Sequence, residues 1–475
     1  KYFIRACVVF LTIAFSHPAF SINCKSVKTL TDEFLERHFE HKKFDDELSK
    51  RSLEGYIKLW DPTKVYFLQA DVDRFTNQYA KQLDDQISKA NCSALDDIFA
   101  TYSKRFKERL PNIKKWIDAN HDFKVDEYME VDSKKTPWAK TSEELDERWR
   151  KRIKFQVLQK KDAVDLVQAR QLLHKRFNLA EKRQAEMKYE KVLSYFLTAF
   201  SSSLDPHSDY YDPEQLENFR ISTRLSLEGI GAVLRSEEGF TIIQSLVPGG
   251  AAAKTGKVKV DDKIIAVAQG KSAPVDVIDM DLNEVVKLVR GKRGTVVNLT
   301  LLRDETGKSQ RVIVPIVREQ VQLNDRAAKS KVFKVKANNV DELSKDAKGK
   351  EKSKTYNIGV INLPSFYLDF QGRQKNNTDY RSSTKDVLNQ LKTLKAQKVD
   401  AVVMDLRLNG GGSLDESIDL AGLFIEQGPI VQRKELISEP YVHSDPDANI
   451  YYDGPLLVMI SSQSASASEI FAGAI

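Results

Sequence analysis

The distribution of glycine constrains this chain more than any other feature of its sequence. The first 204 residues contain only one of its 21 glycines, Gly55. Glycine permits the positive-φ turns that strand-rich domains need, and it weakens helices, so this stretch is suited to helices. Apolar residues there recur at helical spacing, for example Leu30, Phe34 and Leu35. We therefore predict an all-α domain over residues 22–204.

The character of the sequence changes near Leu225, where short apolar runs begin to alternate with glycine turns. Together with one short amphipathic helix at residues 281–289, these runs predict a compact, strand-rich domain over residues 225–318. From Tyr356 onward, strand-like and helix-like segments alternate. This alternation is typical of an α/β or α+β domain, which we place at residues 356–475. The chain is thus predicted to be a multidomain protein.

Two connectors separate the three predicted domains. Residues 205–224 join the helical domain to the rest, and residues 319–355 form a charged connector. The second half of the charged connector is dense in Lys, Asp and Glu and poor in apolar residues, which predicts an exposed loop.

Charge and composition limit the classes of function. The net charge is +6, from 74 basic and 68 acidic residues, and the basic residues form no concentrated block. We therefore expect no nucleic-acid partner. The sequence also shows no spacing of metal ligands and no cofactor motif, so we predict neither a metal nor a cofactor.

Residues 1–21 have the pattern of a secretory signal peptide. Lys1 and Arg5 precede an apolar run from Ala6 to Phe15, and the small-residue site Ala19-Phe20-Ser21 follows. A short membrane anchor is the alternative, but the apolar run is too short to cross a bilayer unless it is extended. We predict cleavage after Ser21 and export.

The cysteine content is consistent with export. Cys7 would leave with the signal peptide, so Cys24 and Cys92 would remain. An even number of cysteines in an oxidising compartment allows a disulfide. A disulfide and two unrelated thiols agree equally well with the sequence.

A serine-rich turn near residue 466 is the strongest candidate for chemistry. An apolar strand over residues 455–460 leads into the run Ser461 to Glu469, and a helix begins at Ser466. A serine at a strand-to-helix turn projects its hydroxyl, and the N–H groups of the helix N-terminus stabilise developing negative charge. A serine N-cap without a catalytic role explains the same local pattern.

A glycine loop is the second candidate. In the run Asp405-Leu406-Arg407-Leu408-Asn409-Gly410-Gly411-Gly412, a strand enters a loop of consecutive glycines, and a helix follows. Such a loop exposes backbone N–H groups, which suits an oxyanion hole. It lacks the Lys-Ser/Thr ending of a phosphate-binding P-loop. A purely structural turn is the remaining alternative.

The run Ser226-Leu227-Glu228-Gly229-Ile230-Gly231 is the third candidate. Its glycines can turn N–H groups toward a terminal carboxylate, and the strand that follows can offer its edge to an added peptide strand. A Ser-His-Asp triad would instead need a histidine base. Only His207 and His443 lie outside the signal peptide and the helical domain, and their spacing ties neither to Ser466.

Taken together, the chain resembles the tail-specific, or carboxyl-terminal processing, serine proteases, in their long periplasmic form with an N-terminal helical domain. Four runs carry the resemblance: Asp205-Pro206-His207-Ser208-Asp209-Tyr210, Leu225 to Leu234, Asp405 to Gly412, and Ser464 to Ala472. The resemblance implies that residues 225–318 are a PDZ domain with a β-sandwich-like or barrel fold. It implies that residues 356–475 are an incomplete serine protease core.

The resemblance implies catalysis by a Ser/Lys dyad, in which a neutral lysine takes the hydroxyl proton and the serine attacks the peptide carbonyl. Ser466 corresponds to the family's nucleophile, and Ser468 is the alternative if the register differs. In the family the base lies in a Thr-Phe-Gly-Lys-Gly-like segment beyond the serine's helix, and no lysine follows Lys434 here. We therefore expect a fragment of a longer protein, inactive by itself.

The same resemblance assigns supporting roles around the nucleophile. The N–H of Ala467 and one N–H of the glycine loop, from Gly411 or Gly412, would form the oxyanion hole. Asp405 and Arg407 would hold that loop in place.

The implied function is an endopeptidase that binds apolar C-terminal tails of substrate proteins through its PDZ domain. The residues that would bind the tail are Leu227, Glu228, Gly229, Ile230 and Gly231. The implied location is the periplasm. The resemblance also allows an adaptor protein as a partner and peripheral association with the inner membrane surface. If the protein truly ended at residue 475, the alternative is a non-catalytic tail-binding protein.

Overall fold

The computed structural model describes nine stretches of the chain. They are residues 22–161, 164–305, 308–336, 344–345, 351–352, 355–375, 380–434, 439–446 and 448–475. The predicted signal peptide, residues 1–21, lies outside them. Within the described residues, no helix combines the length and the apolar character needed to cross a membrane.

The chain forms two compact units. The first comprises the chain up to Trp116, Asp122–Ile153 and Gln184–Tyr210, and the second comprises Ile117–His121, Lys154–Arg183 and Tyr211–Ile475. The predicted helical domain is confirmed as helical: α1 (Cys24–Arg37), α2 (Asp46–Trp60), α3 (Gln69–Tyr79), α4 (Leu83–Ser88), α5 (Ser93–Asp118), α6 (Ser142–Lys161), α7 (Leu166–Ala185) and α8 (Tyr189–Leu204). It is not one compact unit, because most of α7 belongs to the second.

Helix α8 shows why the first unit folds as helices. Val192, Phe196 and Phe200 recur every four residues and are fully buried, so one face of the helix forms a continuous apolar stripe. The stripe packs against α2 in the core of this unit. Cys24 at the start of α1 and Cys92 just before α5 form a disulfide. Of the two alternatives that the sequence left open, the structure therefore has the crosslink.

The second unit contains the predicted PDZ domain. Its elements are β1 (Ser226–Gly229), β2 (Ala232–Glu237), β3 (Phe240–Leu246), α10 (Ala251–Lys254), β4 (Lys263–Gln269), β5 (Val275–Asp276), α11 (Leu282–Val289), β6 (Val296–Glu305), β7 (Lys308–Val317) and β8 (Glu319–Gln322). The main sheet has the order β2-β3-β4-β6-β7, with β5 beside β4, and β1 pairs with β8. Strand β2 is therefore an edge strand, and α11 packs against it.

Helix α7 contacts the PDZ domain inside the second unit. The Lys175 ammonium lies 5.1 Å from the ring centroid of Phe240, and Arg183 Nε lies 3.6 Å from Asp281 Oδ2. Phe240 and Asp281 belong to the strand-rich domain, whereas Lys175 and Arg183 belong to the predicted helical domain. The prediction of an all-α domain over residues 22–204 includes α7 but could not show which domain this helix contacts.

Both predicted connectors are partly structured. Residues 205–224 include α9 (Pro213–Arg224), which Asp212 caps by accepting a hydrogen bond from the N–H of Gln215 at 2.9 Å. Residues 319–355 include β8, the 3₁₀ turn η1 (Asn324–Arg326), β9 (Lys329–Lys336) and two short paired strands, β10 (Ser344–Lys345) and β11 (Glu351–Lys352). Much of the loop predicted between β9 and residue 355 lies outside the described residues.

The predicted protease core is built on a four-stranded sheet. Its strands are β9, β12 (Thr355–Asn362), β13 (Ala401–Asp405) and β16 (Leu456–Met459) in the order β16-β13-β12-β9, in which β12, β13 and β16 are parallel. The other elements are α12 (Phe370–Gln374), α13 (Ser383–Ala396), α14 (Leu414–Ala421), the hairpin β14 (Gly428–Arg433) and β15 (Tyr441–Asp445), and α15 (Ala467–Ala474). Met404 and Phe471 are fully buried in the core of this domain.

Candidate active site

Parallel pairing brings the glycine loop and the serine turn together. Asp405 on β13 lies opposite Met459 on β16, and the N–H of Leu406 donates to Met459 O at 2.9 Å. Because the carboxyl ends of parallel strands meet at the same edge of a sheet, the loops that follow β13 and β16 become neighbours. Neither sequence run alone shows that these two loops are neighbours.

Hydrogen bonds fix the serine turn onto the glycine loop. The Ser464 hydroxyl donates to Leu406 O at 2.8 Å, and the Ser468 hydroxyl donates to Asn409 O at 2.8 Å. The N–H of Ala465 also donates to Asn409 O, at 3.2 Å. Ser468 is fully buried. The hydroxyls of Ser464 and Ser468 therefore hold the turn, which does not suit either residue to attack a substrate.

Ser466 differs from both neighbours. Its side chain is exposed, and its backbone has φ 54° and ψ −116°. A positive φ is uncommon for a residue with a Cβ atom, and such backbone strain is frequent at functional sites. The N–H of Ser466 donates to Glu469 Oε2 at 2.5 Å, which helps to hold this conformation at the start of α15. The geometry suits Ser466 as a nucleophile better than Ser468.

The glycine loop approaches Ser466 more closely than any other residue type would allow. Gly411 has φ +106°, and a Cβ atom on it would lie 2.7 Å from Ser466 Cβ and 3.2 Å from Ala467 N. Gly412 has φ +145°, and a Cβ atom there would lie 2.3 Å from Phe366 O. Both positions therefore require glycine, for conformation and for space.

The N–H groups of this site differ in whether they already donate a hydrogen bond within the protein. The N–H of Gly411 donates to Asn409 Oδ1 at 2.9 Å. In the described part of the chain, the N–H groups of Gly412 and Ala467 make no hydrogen bond. Of the two loop donors that the sequence left open, Gly412 is therefore the one available in this conformation, beside Ala467.

Asn409 holds the loop and was not singled out from the sequence. Its side chain is fully buried, accepts from the N–H of Gly411, and donates from Nδ2 to Leu363 O at 2.9 Å. Its backbone carbonyl accepts the two hydrogen bonds from Ala465 and Ser468. The sequence signal that could have pointed to Asn409 is its polar side chain directly before three glycines, just after a run typical of a buried strand.

Asp405 and Arg407 form an ion pair at the end of β13. The Arg407 guanidinium donates from Nε and Nη2 to the two carboxylate oxygens at 2.9 and 2.8 Å. These hydrogen bonds hold the pKa of Asp405 below its usual range. The pair fits the expected support of the loop entrance, although the Arg407 side chain is half exposed.

The two candidate histidines lie in different compact units. His207 belongs to the first unit, whereas His443 and Ser466 belong to the second. His443 lies on β15 with its ring against Tyr441, and its buried Nε2 has no hydrogen-bond partner in the described residues. The described structure thus offers no observation in favour of a Ser-His pair.

Comparisons with known proteins agree with this architecture. Residues 30–214 match the tail-specific protease N-terminal domain, residues 219–302 match the PDZ domain, and residues 357–475 match peptidase family S41. A tail-specific protease of Haemophilus influenzae is 35% identical over 452 residues, covering 95% of this chain and 60% of the relative. The chain belongs to the tail-specific protease family. The resemblance inferred from the four runs and the predicted fold class are confirmed.

The chain is also similar to a second curated relative and to a solved PDZ domain. A carboxy-terminal-processing protease of Bartonella bacilliformis is 29% identical over 287 residues, covering 60% of this chain and 57% of the relative. The solved PDZ domain of a carboxy-terminal protease from Vibrio cholerae, in complex with a peptide, is 42% identical. It covers 21% of this chain and 100% of its own, with a TM-score of 0.20. The chain spans about 60% of the length of these curated relatives.

In this member of the tail-specific protease family, the predicted tail-binding run divides into two parts. Leu227, Glu228 and Gly229 lie in β1, paired with β8, and the Glu228 carboxylate accepts from the N–H of Arg293 at 2.9 Å. Ile230 and Gly231 form the turn into the edge strand β2. Among the described residues, the N–H groups of Ile230 and Gly231 make no hydrogen bond, although both carbonyls accept one.

Proposed function

We propose that this chain is the tail-binding and nucleophile-bearing part of a serine endopeptidase that acts on proteins with exposed apolar C-termini. One observation carries the proposal. Ser466 is exposed at a strained turn, against the glycine loop, and beside it the N–H of Ala467 has no hydrogen-bond partner among the described residues. Membership of the tail-specific protease family supports the same function.

In the proposed reaction, Ser466 Oγ attacks the carbonyl carbon of the scissile peptide. The carbonyl oxygen becomes an oxyanion, which accepts hydrogen bonds from the N–H groups of Ala467 and Gly412. The C–N bond then breaks, the leaving amine takes a proton, and water later releases the acyl group from Ser466. Acylation needs a base that removes the hydroxyl proton of Ser466 and passes it to the leaving amine, and deacylation needs a base that takes a proton from water and returns it to Ser466 Oγ.

The family resemblance assigns that base to a lysine in a Thr-Phe-Gly-Lys-Gly-like segment. None of the lysines in this sequence lies in such a segment. Because the chain spans about 60% of the length of its relatives, the proposal concerns the complete protein, expressed from its native gene.

Tail recognition would use the PDZ domain. The N–H groups of Ile230 and Gly231, which donate to none of the described residues, suit a terminal carboxylate. The edge strand β2 can accept the last residues of a substrate as an added strand. Apolar specificity would come from the space between β2 and α11. Export, an adaptor protein and association with the inner membrane surface remain predictions of the sequence.

The test compares the complete protein with its Ser466→Ala variant on a small reporter protein that ends in three apolar residues. We expect the variant to lose at least about a thousandfold in kcat/KM, as for removal of a catalytic nucleophile. Ser464→Ala is the matched control, because its hydroxyl only holds the turn. Cleavage by Ser466→Ala at the wild-type rate would contradict the proposal.

A non-catalytic tail-binding protein is the second candidate. The described PDZ domain, with its open edge strand, supports binding without any contribution from the serine turn. This alternative predicts that the complete protein binds the reporter and never cleaves it. Turnover that depends on Ser466 would exclude it.

A further inference from the structure

Leu408 is an exposed leucine in the middle of the glycine loop. Its side chain is 77% exposed, whereas Leu406, two residues earlier in the same run, is fully buried in the core of the protease domain. An isolated exposed leucine on a protein surface needs no explanation by itself. Leu408 differs because it follows the carboxyl end of β13, and ligands of α/β domains bind at the carboxyl ends of their parallel strands.

The serine turn fixes the loop on both sides of Leu408. The Ser461 hydroxyl donates to Arg407 O, and the N–H of Ala465 donates to Asn409 O at 3.2 Å. The exposure of the leucine is therefore not the result of a loosely held loop. Its side chain projects from a fixed backbone, next to the turn that carries the proposed nucleophile.

The backbone of Leu408 also has unused hydrogen-bonding capacity. In the described part of the chain, neither its N–H nor its carbonyl makes a hydrogen bond. The main chain of an extended peptide can satisfy such groups, as an added strand does at a sheet edge. Both the side chain and the main chain of Leu408 are thus open to a substrate.

The proposed oxyanion hole indicates which part of a substrate would meet Leu408. The carbonyl oxygen that becomes the oxyanion binds the N–H of Gly412, at the end of the same loop. The substrate residue that carries this carbonyl is therefore held against the loop, whereas the residues after the scissile bond leave with the amine. We expect the side chain of that first residue to be the nearest one to Leu408.

We propose that Leu408 is a specificity-determining residue that contacts the substrate side chain directly before the scissile bond and favours an apolar residue there. Contact between two apolar side chains removes the surface of both from water. The tail and the cleaved bond would thus be selected by separate parts of the chain, the PDZ domain and the glycine loop. This inference rests on the proposed endopeptidase function and adds to it a preference at the cleaved bond.

The test uses the complete protein and two internally quenched peptides with the same apolar C-terminal tail. They differ only in the residue before the central bond, which is leucine in one and serine in the other. Mass spectrometry of the fragments identifies cleavage at that bond, for which kcat/KM is measured. We expect the wild-type protein to prefer the leucine peptide at least about tenfold, as for one apolar group in a substrate site. Leu408→Ser should lower this preference to about twofold or less.

Two further variants separate substrate contact from structure. Leu408→Met keeps an apolar side chain of similar volume and should preserve the preference within about twofold. Ile313→Ser is the matched control, because it also removes an exposed apolar side chain, on β7 of the PDZ domain. It should leave the preference unchanged.

The possible outcomes distinguish this inference from the proposed function. The inference is overturned if the wild-type protein shows no preference, if Leu408→Ser keeps it, or if Leu408→Ser slows cleavage of both peptides equally. In each of these cases Ser466-dependent cleavage still stands. Cleavage of neither peptide, or cleavage that Ser466→Ala retains, would instead contradict the proposed function itself.

Discussion

Gly411 and Ser466 are packed so closely that a Cβ atom on Gly411 would lie 2.7 Å from Ser466 Cβ. This contact sets where the proposed nucleophile lies relative to the glycine loop. It also makes Gly411 a sensitive position for testing the site.

Gly411→Ala should strongly reduce activity of the complete protein. The added methyl group must displace the Ser466 turn, and the alanine would have to adopt φ +106°. A displacement of about 1 Å at a catalytic group can cost a hundredfold in rate, so we expect kcat/KM to fall at least about a hundredfold. Gly410→Ala is the matched control, because a Cβ atom there meets nothing within 4 Å. Equal activity of the two variants would show that the contact is unimportant.

Asn409→Ala should destabilise the protease core and reduce activity together. The substitution removes the partner of the Gly411 N–H and of Leu363 O at a fully buried position. Leaving such groups unsatisfied costs about 2–3 kcal/mol in the free energy of unfolding. Denaturant unfolding monitored together with proteolysis checks this expectation. Ser464→Ala removes the hydrogen bond to Leu406 O and the one from the N–H of Ser461, which is exposed, and should cost only about 1 kcal/mol. A larger loss for Ser464→Ala than for Asn409→Ala would contradict the assigned role.

Removing the Cys24–Cys92 disulfide should destabilise the helical unit. The bond closes a loop with a sequence separation of 68 residues, for which chain entropy predicts about 4 kcal/mol of stabilisation. Thermal unfolding followed by far-UV circular dichroism should show a lower Tm for the double Cys24→Ser, Cys92→Ser variant. A reductant should lower the Tm of the parent and leave that of the variant unchanged. If the reductant also lowered the Tm of the variant, its effect on the parent could not be assigned to this disulfide.

Acid should weaken the first unit through Asp205. Burial raises the pKa of Asp205, but hydrogen bonds from Ser208, the His207 N–H and His38 outweigh burial and lower the pKa to about 2. Because the unfolded chain binds a proton near pH 4, this contribution is fully present above about pH 4 and is lost as the pH falls through 2. The Tm of Asp205→Asn should depend less on pH in that window. Burial raises the pKa of Asp209. The Asp209→Asn variant should therefore still lose stability at acid pH, as the parent protein does.

The sequence alone predicted the fold class well because each domain has its own local pattern. Scarce glycine and helical periodicity identified the helical domain, and glycine turns between apolar runs identified the PDZ strands. The interpretation of residues 319–355 as a connector did not reveal β9, an edge strand with polar residues along much of its length. Its pairing with β12 is a long-range contact, which local composition does not reveal.

The candidate site was predictable only in part for the same reason. Family motifs located Ser466 and the glycine loop, whereas the role of Asn409 depends on Leu363, 46 residues away in the chain. The availability of the Gly412 N–H, in contrast to that of Gly411, follows from a side-chain hydrogen bond that no spacing rule anticipates.

Covalent labelling can show whether Ser466 is the nucleophile. The complete protein would be treated with an apolar peptidyl diphenyl phosphonate, which bonds to activated serines, and the modified residue located by peptide mass spectrometry. We predict one adduct, on Ser466, with proteolysis lost in proportion to labelling and no adduct in Ser466→Ala. Inactivation with the adduct on Ser468 or on another residue, and with Ser466 unmodified, would contradict it.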